Sequence, residues 1–469
     1  MGRPESQAKD GTLGLRGSLE VGVALFSMFF GAGNLIIAPL LGVQAGPSVV
    51  PATVGYLVSG VGLPIATIVA IAHAGTADAL LDRIGRRFSR VFTILTYLAI
   101  GPLLAIPRTA STSFEMVRPL IVGVTGGAGG AGAASPAAAA AAGAAVDLPQ
   151  LLFSLAFFAA ALALALHPAR VVRLMGKVTG PLLIALLVVM VAAQIVAPAG
   201  DPLAQAQQAY ATAPGVAGFL QGYQTLDLLA SLAFGVVITS SVRRLGVADA
   251  DAQARQVARS GVVAGALMAL VYCALSYLGA RMGTVASGAA NGAEVISLSA
   301  TLHFGTAGTA LTAAVFLIAC FNVCVGLVSS IGEYFSETFP KVPYRGWATI
   351  VACVSCVLAN AGLTAILSYS VPVLMALYPM GICAMLMGLL PGSEAHATAW
   401  RLAMACVGMV STAGALRDAL APGLALPLDA LPLASIGLGW VVPGILGLVI
   451  GAVVEAASSG REGRGAARA

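Results

Sequence analysis

Charge is what this chain has least of. Asp, Glu, Lys and Arg make up 9% of its 469 residues, against about 25% in a soluble domain. With 59% hydrophobic residues it cannot cover itself with polar surface in water, and soluble classes are excluded. It also lacks any basic run interleaved with aromatics, so the net charge of +5 does not read as a nucleic-acid surface. The four histidines, His73, His167, His303 and His396, stand apart at the ends of apolar runs. A metal site or an intramembrane enzyme would need a His cluster, a second acid or a nucleophile–base pair at depth, and none is visible. A channel would need a continuous polar stripe over several spans, which is missing too. The seven cysteines include one CxxC, Cys353 to Cys356 in "VACVSCVLAN". Without a second pair or a neighbouring His it reads as small packing residues of a helix rather than as a metal or redox motif. The first eighteen residues are polar and mixed in charge, and the apolar run after them is longer than the core of a signal peptide, so no cleavable leader is expected. Nor is any soluble stretch of domain size present, which puts the function inside the membrane.

What the chain does have is apolar runs. A span needs about 20 largely apolar residues. Twelve can be drawn, at roughly 19–42, 48–72, 88–112, 149–167, 178–198, 219–241, 258–282, 307–334, 345–361, 363–389, 397–418 and 433–456. With the N-terminus inside, 20 of the Lys and Arg residues fall in inner segments and 4 in outer ones (Arg108, Arg118, Arg281 and Arg417). Positive charge marks the inner side, so this split requires an even number of spans and both termini cytoplasmic. Segments 1–18 and 457–469 are then cytoplasmic tails. The Ala/Gly-rich stretch within 121–147 is an outer loop of low complexity.

Three spans carry breakers or polarity that lipid does not tolerate. The first contains "FFGAGNLIIAPLLG" (29–42). Glycine disfavours helix by about 0.8–1.0 kcal/mol relative to alanine; Asn34 adds an amide, and Pro39 removes a backbone donor. Small residues for close helix packing would explain Gly31 and Gly33 but not Asn34 beside them. A break in the helix is the better reading, because irregular backbone at membrane depth is tolerated only against protein or a wet cavity. The sixth span carries Asp227, with Ser231 and Gly235 at four-residue intervals on one face. Asp227 reads either as a functional acid or as a cap at the outer interface. The eighth carries Ser329, Ser330, Glu333 and Glu337. Hydroxyls and carboxylates are hard donors suited to a small hard cation; serines bonding back to their own helix and acids at the inner water boundary are the plainer reading, preferred for Glu337. In the third span Pro102 and Pro107 predict a kink, and Arg108 and Glu115 read as gating charges or as residues of the outer interface.

The segments "FFGAGNLIIAPLLGVQAG" (29–46), "AIGPLLAIPRTASTSFE" (99–115), "TLDLLASLAFG" (225–235), "GLVSSIGEYF" (326–335) and "SVPVLMALYPMGI" (370–382) resemble the signature segments of BrnQ-type branched-chain amino acid–cation symporters. The resemblance runs in order over the whole apolar portion. It implies an all-α polytopic membrane protein of twelve transmembrane helices with a five-plus-five inverted repeat of the leucine-transporter type. Spans 1–5 (19–198) and 6–10 (199–389) would be the repeats, with spans 11 and 12 (390–456) peripheral. It further implies import of leucine, isoleucine and valine across the inner cell membrane with sodium, or a proton, as coupling ion. No other cofactor and no obligate protein partner is implied. By motif position, Gly31, Ala32 and Gly33 would offer backbone to the substrate carboxylate; Ser231 and Phe234 would face the substrate, Phe234 as an aromatic lid. "SLAFGVVIT" (231–239) would be the unwound part of the sixth helix. Ser329 would bind sodium with help from carbonyls of Ser27, Phe30 and Val325, and Ser330 would replace the hydroxyl missing at Val328. Asn34 matches a residue beside a second ion, whose other hydroxyl ligands are not evident here. Asn34, Asp227, Glu333, Arg108 and Glu115 remain candidates for coupling or gating.

Overall fold

The computed structural model describes residues 14–124, 147–167, 171, 173–207, 209–244, 246–247, 249–421, 424 and 426–466. Most of both tails and of the Ala/Gly-rich loop lie outside these. All regular elements among the described residues are helical. Eight helices are long and apolar enough to cross a bilayer, and two shorter apolar ones, Tyr344–Ala359 and Val441–Ala457, accompany them.

The first apolar run is two helices. α1 (Leu15–Phe29) stops where Phe30 turns extended (φ −78°, ψ 95°), Gly31 is extended as well (φ −132°, ψ −157°), and α2 (Ala32–Ala45) begins directly after. The break is therefore at Phe30–Gly31, while Gly33 and Asn34 form the first turn of α2. Pro39 lies inside α2 and does not end it. The second run is α3 (Val49–Leu57) and α4 (Leu63–Ala74), joined by a π-helical turn over Val58–Gly62. The third is α5 (Arg86–Leu98) and α6 (Ala105–Val124), joined by a second such turn over Ala99–Leu103. The kink sits at Gly101 (φ −95°, ψ −123°) rather than at Pro107, which lies in the first turn of α6, where a missing N–H costs nothing. α7 (Leu148–Ala165) and α8 (Gly180–Val196) follow.

The sixth run departs from expectation. α9 (Pro214–Gln221) leads into a 3₁₀ turn, Gly222–Thr225, then Leu226 in the left-handed region (φ 69°), then α10 (Asp227–Arg244). The unwound stretch is thus residues 222–226. "SLAFGVVIT" (231–239) is continuous helix inside α10, so that part of the resemblance-based reading is corrected. The physical reason is a set of side-chain partners for freed backbone: Ser59 Oγ donates to Phe219 O (2.6 Å) and Tyr378 OH to Gly222 O (3.4 Å). Such partners are what make broken helix tolerable at depth.

The long helices that follow are α11 (Ala250–Arg281), α12 (Gly292–Phe304), α13 (Thr306–Thr338), α14 (Tyr344–Ala359), α15 (Leu363–Leu389), α16 (Ala397–Leu420) and α17 (Val441–Ala466); two short ones, Ala77–Asp82 and Ala209–Thr212, lie in connections. α12 lies outside the twelve apolar runs. Helices α1 to α4 and α9 to α11 pack chiefly on one another; α6, α7, α13 and α14 form a second group; α16 and α17 pair at the edge against α15. Small residues bring backbones close in membrane helix pairs. At the α2–α11 crossing, a Cβ on Gly279 would stand 1.9 Å from Pro39 O; at the α3–α9 crossing, one on Gly218 would stand 1.9 Å from Ala52 O.

Candidate functional site

The two breaks face each other across a small cavity. Phe29, Gly31, Ala32, Gly33 and Asn34 come from the first break. Thr225, Leu226, Asp227, Ala230 and Phe234 come from the second. Ile100, Ala105, Arg108 and Thr109 come from the kink of the third run, and Val323 and Leu327 from α13. The walls are mostly apolar, with a few polar groups at one level.

Each polar group has a local cause. The first N–H groups of a helix have no intrahelical acceptor, so α2 offers those of Ala32, Gly33 and Asn34. Asn34 Oδ1 accepts from Gly31 N–H at 3.2 Å, which fixes its amide and turns Nδ2 toward α10. There Nδ2 donates to Asp227 Oδ2 at 2.8 Å and also contacts the Tyr272 hydroxyl. Tyr272 OH donates to the same Oδ2 at 3.0 Å. The carboxylate of Asp227 is 2% exposed and stands at the start of α10, where the helix dipole favours negative charge. Arg108, 6% exposed, donates from Nη1 to Gln224 O at 3.2 Å. Its Nη2 lies so near Gly33 that a Cβ there would stand 2.7 Å away. Arg108 and Gly33 also border a second cavity on the α2–α9 side, lined further by Gln44, Tyr210, Gln224 and Asn291. They form the partition between the two spaces. On the opposite side, Phe29 and Phe234 meet edge to face, with centroids 5.1 Å apart.

The structure thus brings together Gly31, Ala32, Gly33, Asn34, Arg108, Asp227 and Phe234 around one cavity. Asp227 is no outer-interface cap, and Arg108 is not at a mouth: the kink at Gly101 carries α6 into the middle of the protein. Glu115, two turns further along α6, is exposed and unpaired with Arg108. Ser231 is buried but bonded to its own helix, Oγ to Leu228 O at 2.6 Å, and does not line the cavity. Ser329 and Ser330 bond back to Val325 O (2.8 Å) and Gly326 O (2.9 Å), the plainer of the two readings of those serines. Their helix nevertheless packs on α1, with Gly326 against the Met28 side chain. Ser27 Oγ lies 3.4 Å from Met175 O. Phe30 N–H still bonds Phe26 O, so the carbonyls of α1 past Phe26 have left the helical ladder. Glu333 is half-buried further along α13, away from the cavity, and Glu337 is exposed. Sequence reasoning missed Tyr272, Thr225 and the third-run residues Ile100, Ala105 and Thr109. A tyrosine hydroxyl in the middle of an apolar run was the one available signal for Tyr272.

Likenesses to known proteins run over almost the whole chain. Residues 16–458 match the family described as "Branched-chain amino acid transport protein". The chain is 36% identical to the branched-chain amino acid permease BraB of Bacillus subtilis, covering 94% of this chain and 96% of that one. It is 38% identical to the branched-chain amino acid transport system 2 carrier protein of Pseudomonas aeruginosa, covering 93% and 95%. Among solved structures it resembles inward-facing Mhp1 at a TM-score of 0.58 and 13% identity, over 98% of this chain and 96% of that one. That likeness establishes the leucine-transporter-like fold. The family match runs through both breaks and every residue lining the cavity between them: this chain belongs to the branched-chain amino acid transport proteins.

Proposed function

We propose that this transporter imports leucine, isoleucine and valine by symport with sodium across the inner cell membrane. It is a multi-pass membrane protein with no need of enzymatic chemistry, and the reading concerns what it carries and what drives it. The observation that carries the reading is the pair of helix breaks facing each other across an apolar-walled cavity. A zwitterion in a dry site needs compensation at both ends. The N–H groups opening α2 suit the carboxylate; carbonyls released at the ends of α1 and α9 suit the ammonium and the ion. Phe29, Phe234, Ile100, Val323 and Leu327 suit a branched side chain. Such a wall separates substrates differing by one methylene by only about 1–3 kcal/mol, so the three amino acids compete. The sodium ion would lie between the freed carbonyls near Ser27 and Phe30 and the hydroxyls of Ser329 and Ser330, which would turn from their own helix to reach it. Twelve spans, both termini cytoplasmic, two five-span repeats and a peripheral pair complete the proposal. The Phe29–Phe234 side then faces the cytoplasm and the Gln44–Asn291 side the exterior.

A proton-coupled version has one observation in its favour: the buried Asp227 carboxylate within the Asn34–Tyr272 network. Proteoliposomes loaded for labelled-leucine uptake separate the two. Uptake at fixed pH should stop when choline replaces sodium; undiminished uptake that follows an imposed pH gradient overturns the sodium version.

A further inference from the structure

The buried charges of Arg108 and Asp227 border the same cavity, yet among the described residues no ion pair joins them. We propose that they form a split receptor for a free α-amino acid, Arg108 taking its carboxylate and Asp227 its ammonium. The inference deepens the transport reading and rests on it.

Burying an isolated charge is costly, so charges in a membrane interior are paired or serve a ligand. Arg108 has five N–H donors, and among the described residues its one hydrogen bond is to Gln224 O. Its Nη2 sits beside Gly33 at the N-terminal end of α2, where backbone donors also favour an anion. A carboxylate there would meet the guanidinium fork and the helix end together, and the fork matches a carboxylate with two parallel bonds. Asp227 is held differently. Side-chain donors from Asn34 and Tyr272 converge on Oδ2, so Oδ1 receives neither and can accept from a further donor in the cavity that Asp227 lines. An ammonium supplies one. The arrangement therefore demands both ends of the zwitterion, whereas the backbone groups of the breaks alone would accept partial analogues more readily. A site built to hydrogen-bond a group strongly rejects the analogue that lacks it.

The test is competition against labelled leucine binding to purified protein in sodium, with leucinamide (no carboxylate) and 4-methylpentanoate (no amine) as probes. Wild type should prefer leucine to each analogue by about tenfold to a hundredfold. Arg108→Gln should collapse the leucine-to-leucinamide ratio and leave the leucine-to-4-methylpentanoate ratio high; Asp227→Asn should do the reverse. Arg108→Lys should restore part of the first ratio. If Arg108 merely holds the sixth-run break through Gln224 O, Arg108→Gln weakens all three ligands alike and the proposal falls. Wild type that binds leucinamide as well as leucine overturns it without any variant. Wild type that binds no leucine overturns the transport reading itself, a distinct failure.

Discussion

Gly33 occupies a position where one methyl group decides access. A Cβ there would meet Arg108 Nη2 at 2.7 Å and Gln224 O at 3.3 Å, and a leucine would fill the space above the first turn of α2. Gly33→Leu should abolish leucine uptake while its abundance in the membrane fraction stays near wild type; normal uptake would remove this helix end from the site. Ser329 is the sharper test of the ion. Its hydroxyl bonds Val325 O in this structure, and a net hydrogen bond is worth about 1 kcal/mol. Ser329→Ala should raise the sodium concentration for half-maximal uptake by about fivefold, with leucine KM unchanged at saturating sodium. An unaltered sodium curve would leave Ser329 as a purely structural residue.

Among elements, the crossing of α2 and α11 sets how rigidly the outer half of the first run is held. Pro39 O approaches Gly279 so closely that alanine at 279 has no room, and overpacking of this kind costs about 1–3 kcal/mol. Gly279→Ala should lower the melting temperature of the purified protein and reduce transport with it. Gly414→Ala on α16, where nothing lies within 4 Å, should do neither. The same contrast shows what a sequence can reveal. The first break was legible because Gly31 and Gly33 leave a mark in composition, and Asn34 beside them favoured a break over mere close packing. The second was not: Leu226 takes a left-handed φ of 69° without being glycine, a conformation costing about 1–3 kcal/mol that only surrounding structure sustains. Ser59 and Tyr378, which supply that support, lie some 160 residues away on either side. Arg108 was misplaced for a related reason. Its depth depends on the wide turn at Ala99–Leu103, which no count of apolar residues reveals.

At the scale of the whole molecule, two groups of helices meet at the cavity. One contains both broken runs, and the other supplies Arg108 and the α13 wall. The Arg108–Gln224 bond and the Phe29–Phe234 contact are the two seams between the cavity and either side. Phe234→Ala opens one seam and should raise uncoupled sodium leak, measured as sodium flux without leucine; a leak equal to wild type would show that the ring pair seals nothing. The unpaired guanidinium and carboxylate carry an electrical consequence. Their charges cancel, and a zwitterion adds none, so under the proposed symport the loaded cavity would feel the membrane voltage only through the coupling ion. Each elementary charge crossing 100 mV carries about 2.3 kcal/mol. With a single sodium per cycle, the current recorded from reconstituted protein should equal one charge per leucine delivered, and leucine accumulation should climb with voltage as that one charge dictates.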